Sequence, residues 1–277
     1  MSTSHEGLSA TITSAANPRV KWLVDLRRRR ARDAAGVTVV EGYDELRLAL
    51  DAGVVPRQLF WCDALADPTT QVLLSRVTAL GSEVVRLGPA AFAKASYRDS
   101  PDGWLAVVDS PGVPLDAVTL RARPLVLVCE AIEKPGNLGA MLRTAEAVGV
   151  DAVVAASPVA DWGNPNLIRA SKGTVFAVQV ASGPTADVVA WLRRRALMIV
   201  VATPETSTAV TDVDLTRPVA VVVGAEHAGV GASLLEAADE TASLPMAGRV
   251  NSLNVAASAA VVLYEAVRQR AALPPGP

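Results

Sequence analysis

The chain has 277 residues, 51% of them hydrophobic and 19% charged, with a formal net charge of −2 at neutral pH. That length favours two domains, and that composition excludes a disordered chain. The longest apolar runs, such as residues 218–223, fall far short of the ~20 residues that span a bilayer, and no apolar stretch follows the start as in a secretion signal, so a cytoplasmic protein without a membrane partner is expected.

Residues 1–13 are small and polar and read as a flexible tail. Asn17-Pro18 can cap a helix running to about Arg32. Between Pro18 and Arg32 lie seven cations (Arg19, Lys21, Arg27, Arg28, Arg29, Arg30, Arg32) against one acid, Asp25. Such a local excess in a nearly neutral chain suits a polyanionic partner. Short alternating elements follow: strands at 37–40, 58–61, 83–87 and 104–108, and helices at 43–52, 69–80 and 89–95. This pattern predicts a small α/β sandwich over 14–109. Ser110-Pro111-Gly112-Val113-Pro114 breaks it and opens a linker, taken as 110–124.

The second series, 125–277, begins with the continuous apolar run 125–129, as in a buried parallel strand. A helix covers 137–148 with Gly149 as its C-cap. Strands at 153–156, 175–180, 198–202 and 218–223, a helix at 186–195, a short strand ending at 243–245 and a long helix at 252–270 complete it. This half reads as an open parallel sheet with helices on both faces, a fold that binds ligands beyond the carboxyl ends of its strands. Cys62 and Cys129 form no CxxC pair and sit in apolar surroundings, so both are expected as buried, reduced thiols.

The common cofactor signatures are absent: there is no GxGxxG after a strand, no phosphate loop with Lys-Ser/Thr, no His/Cys metal spacing and no GxSxG elbow. Three other segments stand at predicted strand ends. Asn137-Leu138-Gly139-Ala140-Met141-Leu142-Arg143 turns from strand to helix and projects Arg143 near that edge. In Gly224-Ala225-Glu226-His227-Ala228-Gly229 two glycines bracket an acid, and glycine admits a ligand close to the backbone. Leu244-Pro245-Met246-Ala247-Gly248-Arg249-Val250-Asn251-Ser252-Leu253-Asn254 combines apolar, hydroxyl and amide groups ahead of a helix that Ser252 or Asn251 could cap.

In this order and spacing the three segments resemble the signature motifs of the SpoU/TrmH branch of the SPOUT methyltransferases. Arg169-Ala170-Ser171-Lys172-Gly173 is similar to a segment those proteins carry between the first two. Ser14, Asn17-Pro18, Val20-Lys21, the arginine run, Val40-Glu41-Gly42 and 99–106 resemble the RNA-binding domain that often precedes the catalytic one. The resemblance implies a catalytic domain with a deep trefoil knot, S-adenosyl-L-methionine as cofactor, and a homodimer formed through that domain. It implies transfer of methyl to a ribose 2′-hydroxyl of structured RNA, with 23S ribosomal RNA first, in some relatives as resistance to a ribosome-directed antibiotic. Transfer RNA and a silent RNA-binding protein of the same fold are the alternatives. By motif, Thr203, Gly224, Glu226, Leu244, Met246, Ser252, Leu253 and Asn254 would hold the cofactor. Arg143 is the implied catalytic arginine, able to act at the other subunit's cofactor, and Asn137, Glu226, Ser252 and Asn254 would position the ribose. Arginine stays protonated in nearly all protein settings, so Arg143 is expected to orient a phosphate and stabilise the alkoxide rather than to take the proton.

Overall fold

A computed structural model describes residues 11–226, 228–249 and 252–272. Contacts divide the chain into two compact units, 1–111 with 162–177, and 112–161 with 178–277.

In the first unit, α1 (Pro18–Asp25) starts where the Asn17 side chain accepts from the Arg19 amide, with Pro18 at the first helical position, a favourable pairing because proline needs no donor there. Then come α2 (Arg29–Ala35), β1 (Val37–Glu41), α3 (Tyr43–Asp51), β2 (Gln58–Trp61), α4 (Val72–Ala79), β3 (Glu83–Arg86), α5 (Pro89–Ala95) and β4 (Trp104–Asp109). The sheet runs β1-β4-β2-β3, with only β2 and β3 parallel. Leu23, Phe60, Phe92, Leu105 and Val107 fill the core on one face.

Three expectations for this unit are corrected. Ile12, expected in the flexible tail, bridges to Leu87 and its amide donates to the Arg86 carbonyl, while residues 1–10 lie outside the described residues. The predicted single helix to Arg32 breaks into α1 and α2. Arg32 is buried and donates from Nη1 to the carbonyls of Leu26 and Arg27, both at 3.0 Å, which occupies the acceptors at the break. Arg32 is therefore a structural residue rather than part of an RNA-facing surface.

The second unit is built on a wholly parallel six-stranded sheet of order β10-β8-β9-β5-β6-β7. Its elements are β5 (Leu125–Glu130), α6 (Pro135–Val148), β6 (Ala152–Ala156), β7 (Gln179–Gly183), α8 (Thr185–Arg194), β8 (Met198–Ala202), β9 (Val219–Val223), α9 (Ala232–Glu236), β10 (Glu240–Ala242) and α10 (Val255–Ala271). Every residue of β5 is buried, as a central parallel strand requires. Val126, Val128, Ile199 and Val201 pack under Trp191 and Leu192 of α8, while α10 lies along α6 and β9 on the other face. Gly149 ends α6 in the left-handed region, as expected. Cys62 and Cys129 are both buried and free, and burial pushes the Cys129 thiol up to about 12. No helix among the described residues is long and apolar enough to cross a membrane.

Here too the sequence boundaries shift. Residues 162–177, read as part of the second half, pack on the first unit: Thr38 Oγ1 donates to the Gly163 carbonyl, and a Cβ on Gly173 would lie 2.8 Å from the Glu45 carbonyl oxygen. They form α7 (Pro165–Ala170) and a 3-10 turn at Thr174–Phe176, so the strand predicted from 175 starts only at Gln179. The linker shrinks to about 110–112, because the Val113 amide bonds to the Val180 carbonyl and Val118 is buried.

Asp151 closes the lower edge of the second unit. Its carboxylate accepts from Arg121 N and Nε and from the Leu125 amide, at 2.8–2.9 Å. Burial alone would raise its pKa; the hydrogen bonds from Arg121 and Leu125 outweigh it and hold the carboxyl below its ordinary 3.8. A depressed folded-state pKa stabilises the fold above the unfolded value, and that stabilisation is lost as pH falls through the folded one. Asp151→Asn is expected to lose about 2 kcal/mol near neutrality, with the gap to wild type narrowing below about pH 4. Denaturant titrations at several pH values measure it; a constant gap would contradict this role.

Candidate active site

The strand order reverses between β5 and β9, and the loops that leave their carboxyl ends face each other there. Such a switch point leaves a crevice that side chains can line. Ile132, Glu133, Lys134 and Asn137 from the β5 side, with Ala225, Glu226 and Ala228 from the β9 side, enclose about 160 Å³. Glu226 is the centre of the polar groups. Its Oε1 accepts from Asn137 Nδ2 at 2.8 Å and from Asn254 Nδ2 at 3.0 Å, and its Oε2 pairs with Lys134 Nζ. Asn254 also donates to Asn137 Oδ1 at 3.3 Å, while its own Oδ1 accepts from the Ala256 amide at 3.0 Å. Asn254, not Ser252, is thus the cap of α10; Asn251, the other expected cap, lies outside the described residues, as do His227 and Val250.

The β9 loop reaches this place by folding tightly on itself. Ala225 and Gly229 form a bridge, and the Gly229 amide donates to the Ala225 carbonyl at 2.9 Å. A Cβ on Gly224 would stand 2.0 Å from the Gly229 carbonyl oxygen, so no larger residue fits.

A second cleft, lined by no charged residue, opens at the carboxyl ends of β8 and β10. Thr203, Leu244, Met246, Ser252 and Leu253 line it, with Ala202, Pro204, Ala242 and Ser258. It encloses about 70 Å³ and opens to solvent, Leu253 being 42% exposed. The Thr203 amide bonds to the Ala242 carbonyl at 2.9 Å, and Ala209 bridges to Ser243, which fixes the two walls. The two hollows meet at segment 252–255, where Ser252 and Leu253 face one and Val255 the other.

The structure therefore sorts the expected residues. Thr203, Leu244, Met246, Ser252 and Leu253 share the apolar cleft, whereas Asn137, Glu226 and Asn254 share the polar one, with Gly224 at its loop's root. Arg143 joins neither. It is exposed on α6, six residues after Asn137, which places it about 9 Å further along the axis and about 120° around it. Lys134 was missed in the sequence; the signal available was a cation three residues before Asn137, at the start of the same helix.

In the first unit, Arg19 pairs with Glu83, Arg28 with Asp25 and Arg29 with Asp33. Arg27 donates to the carbonyls of Lys94 and Ser96 and lies over the Tyr97 ring. Lys21 and Arg30 have no ion-pair partner among the described residues. Exposed pairs of this kind contribute little and exchange readily for a phosphate.

Comparison with known proteins defines the class. Residues 124–264 match the SpoU rRNA Methylase family, and residues 17–106 match an MRM3-like substrate binding domain. The chain is 31% identical to a 23S rRNA (uridine(2479)-2′-O)-methyltransferase of Streptomyces viridochromogenes, over 94% of this chain and 92% of that one. A crystal structure of an RNA 2′-O ribose methyltransferase superposes with a TM-score of 0.82 at 37% identity, covering 94% of this chain and 99% of that one. The AdoMet-bound rRNA methyltransferase of Sinorhizobium meliloti does so with a TM-score of 0.86 at 27% identity, covering 94% and 98%. The chain is an S-adenosylmethionine-dependent RNA methyltransferase. The chain belongs to the SpoU rRNA methylase family.

Proposed function

We propose that this chain methylates a ribose 2′-hydroxyl of 23S ribosomal RNA in the cytoplasm. The observation that carries the reading is the polar cluster of Asn137, Glu226 and Asn254 beside the apolar cleft, both at strand ends of one parallel sheet. The 23S assignment is supported by the match of residues 17–106 to a substrate binding domain and by the Streptomyces 23S rRNA methyltransferase, which aligns with 94% of this chain.

The apolar cleft suits the proposed cofactor in its chemistry: Leu244, Met246 and Leu253 offer contact area, Thr203 and Ser252 offer hydroxyls, and none of its lining residues is charged. Leu244, Met246, Thr203, Ser252 and Leu253 would hold it, and Gly224, packed against the Gly229 carbonyl, would set the course of the neighbouring loop. S-adenosylmethionine supplies an electrophilic methyl on a sulfonium, whose charge disappears on transfer. A ribose hydroxyl is a poor nucleophile near neutral pH, so the protein must stabilise charge that develops on its oxygen. Arg143 provides a fixed cation and a planar fork for the adjacent phosphate. Asn137, Glu226, Ser252 and Asn254 orient the ribose, with Glu226 held by two amides that leave its second oxygen on Lys134.

The position of Arg143 away from Asn137 supports its acting at the cofactor of a second subunit. Ala257, Val261 and Tyr264 form an exposed stripe at helical spacing on α10, with Val261 47% and Tyr264 55% exposed, and this supports a homodimer through the catalytic unit. A trefoil knot belongs to the same reading. It is compatible with the contacts of Ser243, which bridges to Ala209, and of Asn254, which donates to Asn137 and Glu226. A resistance role follows if the methylated nucleotide lies where a ribosome-directed antibiotic binds.

Incubation with methyl-labelled S-adenosylmethionine, 23S rRNA and transfer RNA in parallel tests the substrate. Label in 23S rRNA is expected; label in transfer RNA alone would overturn the assignment. The exposed cations are tested separately. Replacing Arg28, Arg29 and Arg30 with glutamine is expected to weaken RNA binding and to reduce the slope of log K against log salt by about 2. An unchanged slope would make them a solvated surface only.

A further inference from the structure

We propose that Glu130 is a positioning residue that holds Glu226 in place by anchoring the far end of its loop. This rests on the reading of Glu226 as part of the active site. Glu130 ends β5, one residue beyond the Cys129–Val223 register pair, and so stands level with the start of the 224–231 loop. It is 8% exposed, and among the described residues no cation pairs with it. A buried carboxylate without a counter-ion is costly unless its oxygens are hydrogen-bonded. Both are: Oε2 accepts from the Gly231 amide at 2.7 Å and Oε1 from Thr185 Oγ1 at 3.0 Å. With its hydrogen on Glu130, Thr185 Oγ1 accepts from the Ser157 hydroxyl at 2.9 Å, and the Thr185 amide donates to Ser157 Oγ.

The loop is thus pinned twice. At its root, Gly224 packs against the Gly229 carbonyl; at its end, Gly231 is tied to Glu130, with a Cβ there meeting Oε1 at 3.3 Å. Glu226 lies between these pins and depends on both for its place opposite Asn137 and Asn254. Releasing the Gly231 end frees the chain that carries the carboxylate, while RNA capture and the sheet itself remain. The clamp needs two acceptors, or one acceptor and one donor. A glutamine meets that need: its Oε1 takes the Gly231 amide, its Nε2 donates to Thr185 Oγ1, and the Thr185 hydroxyl turns to Ser157.

The test uses the full chain with methyl-labelled S-adenosylmethionine and 23S rRNA, comparing Glu130→Ala, Glu130→Gln, Thr185→Val, Glu226→Gln and the Glu130→Ala/Glu226→Gln double variant. Glu130→Ala is expected to lower kcat at least about tenfold with RNA affinity unchanged, whereas Glu130→Gln stays within about threefold of wild type. The double variant is expected to be no slower than Glu226→Gln alone, because the two residues act through one position. Multiplying effects, a Glu130→Gln variant as slow as Glu130→Ala, or a wild-type kcat in Glu130→Ala would each overturn the inference. If Glu130→Ala does not fold, Thr185→Val decides, with a kcat reduced about threefold or more expected and a wild-type kcat contradicting it. A wild-type kcat in Glu226→Gln would overturn the site reading itself; an impaired Glu226→Gln beside an unimpaired Glu130→Ala would overturn this inference alone.

Discussion

Arg143→Ala is expected to lower kcat by about a hundred- to a thousandfold while leaving S-adenosylmethionine affinity and the melting temperature near those of wild type. Losing one preorganised group aimed at developing negative charge typically has an effect of this size. The side chain is exposed on α6, and alanine is the better helix former, so stability should change by no more than about 0.5 kcal/mol. Arg143→Lys keeps the charge but loses the planar fork, and it should recover only part of the rate. Because Arg143 is carried away from Asn137 around the helix, we expect mixing Arg143→Ala with Glu226→Gln protomers to restore one competent site per heterodimer. Wild-type turnover in Arg143→Ala would remove the residue from the reaction; no complementation on mixing would place it in its own subunit's site.

Gly224→Ala is the second large effect. The added Cβ would meet the Gly229 carbonyl oxygen at 2.0 Å, the Gly229 carbonyl carbon at 2.2 Å and the Val230 nitrogen at 2.5 Å. All three are backbone atoms of a loop closed by its own bridge, so no side-chain rotation relieves the clash. The loop must open, which displaces Glu226 and one wall of the site. The expected results are a loss of about 2 kcal/mol in stability and at least about a hundredfold in kcat, with cofactor affinity by calorimetry reduced as well. Gly136→Ala is the matched control, since a Cβ there meets nothing within 4 Å. If Gly224→Ala binds S-adenosylmethionine as wild type does, the close approach at this loop has no part in cofactor binding.

What the sequence made legible follows from how local each signal is. The apolar run 125–129 of β5, the Gly149 cap and the limits of α5 are set by neighbours in the chain, and the structure places them where the pattern does. The three motif segments were found because spacing along the chain carries them, and they do converge on one sheet edge. The partition of their residues between two hollows was not legible, since it depends on β9 lying beside β5 although nearly ninety residues separate them. The fate of Arg32 was hidden for a related reason: a fifth arginine in a charged run looks like its neighbours until the carbonyls of Leu26 and Arg27 turn toward it. Residues 162–177 follow a strand of one unit and pack on the other, which no local pattern announces. Lys134 and Glu130 carried no motif, and their roles rest on partners about 90 and 100 residues away.

Methyl transfer to a ribose hydroxyl of RNA leaves a product that alkali distinguishes from a methylated base. The full chain is incubated with methyl-labelled S-adenosylmethionine and unmodified 23S rRNA, the RNA is hydrolysed completely in alkali, and the labelled products are separated. A 2′-O-methyl group blocks cleavage of the adjoining phosphodiester, so label is expected in an alkali-resistant dinucleotide, and none with Arg143→Ala. Label recovered in mononucleotides would mean base methylation and would contradict it.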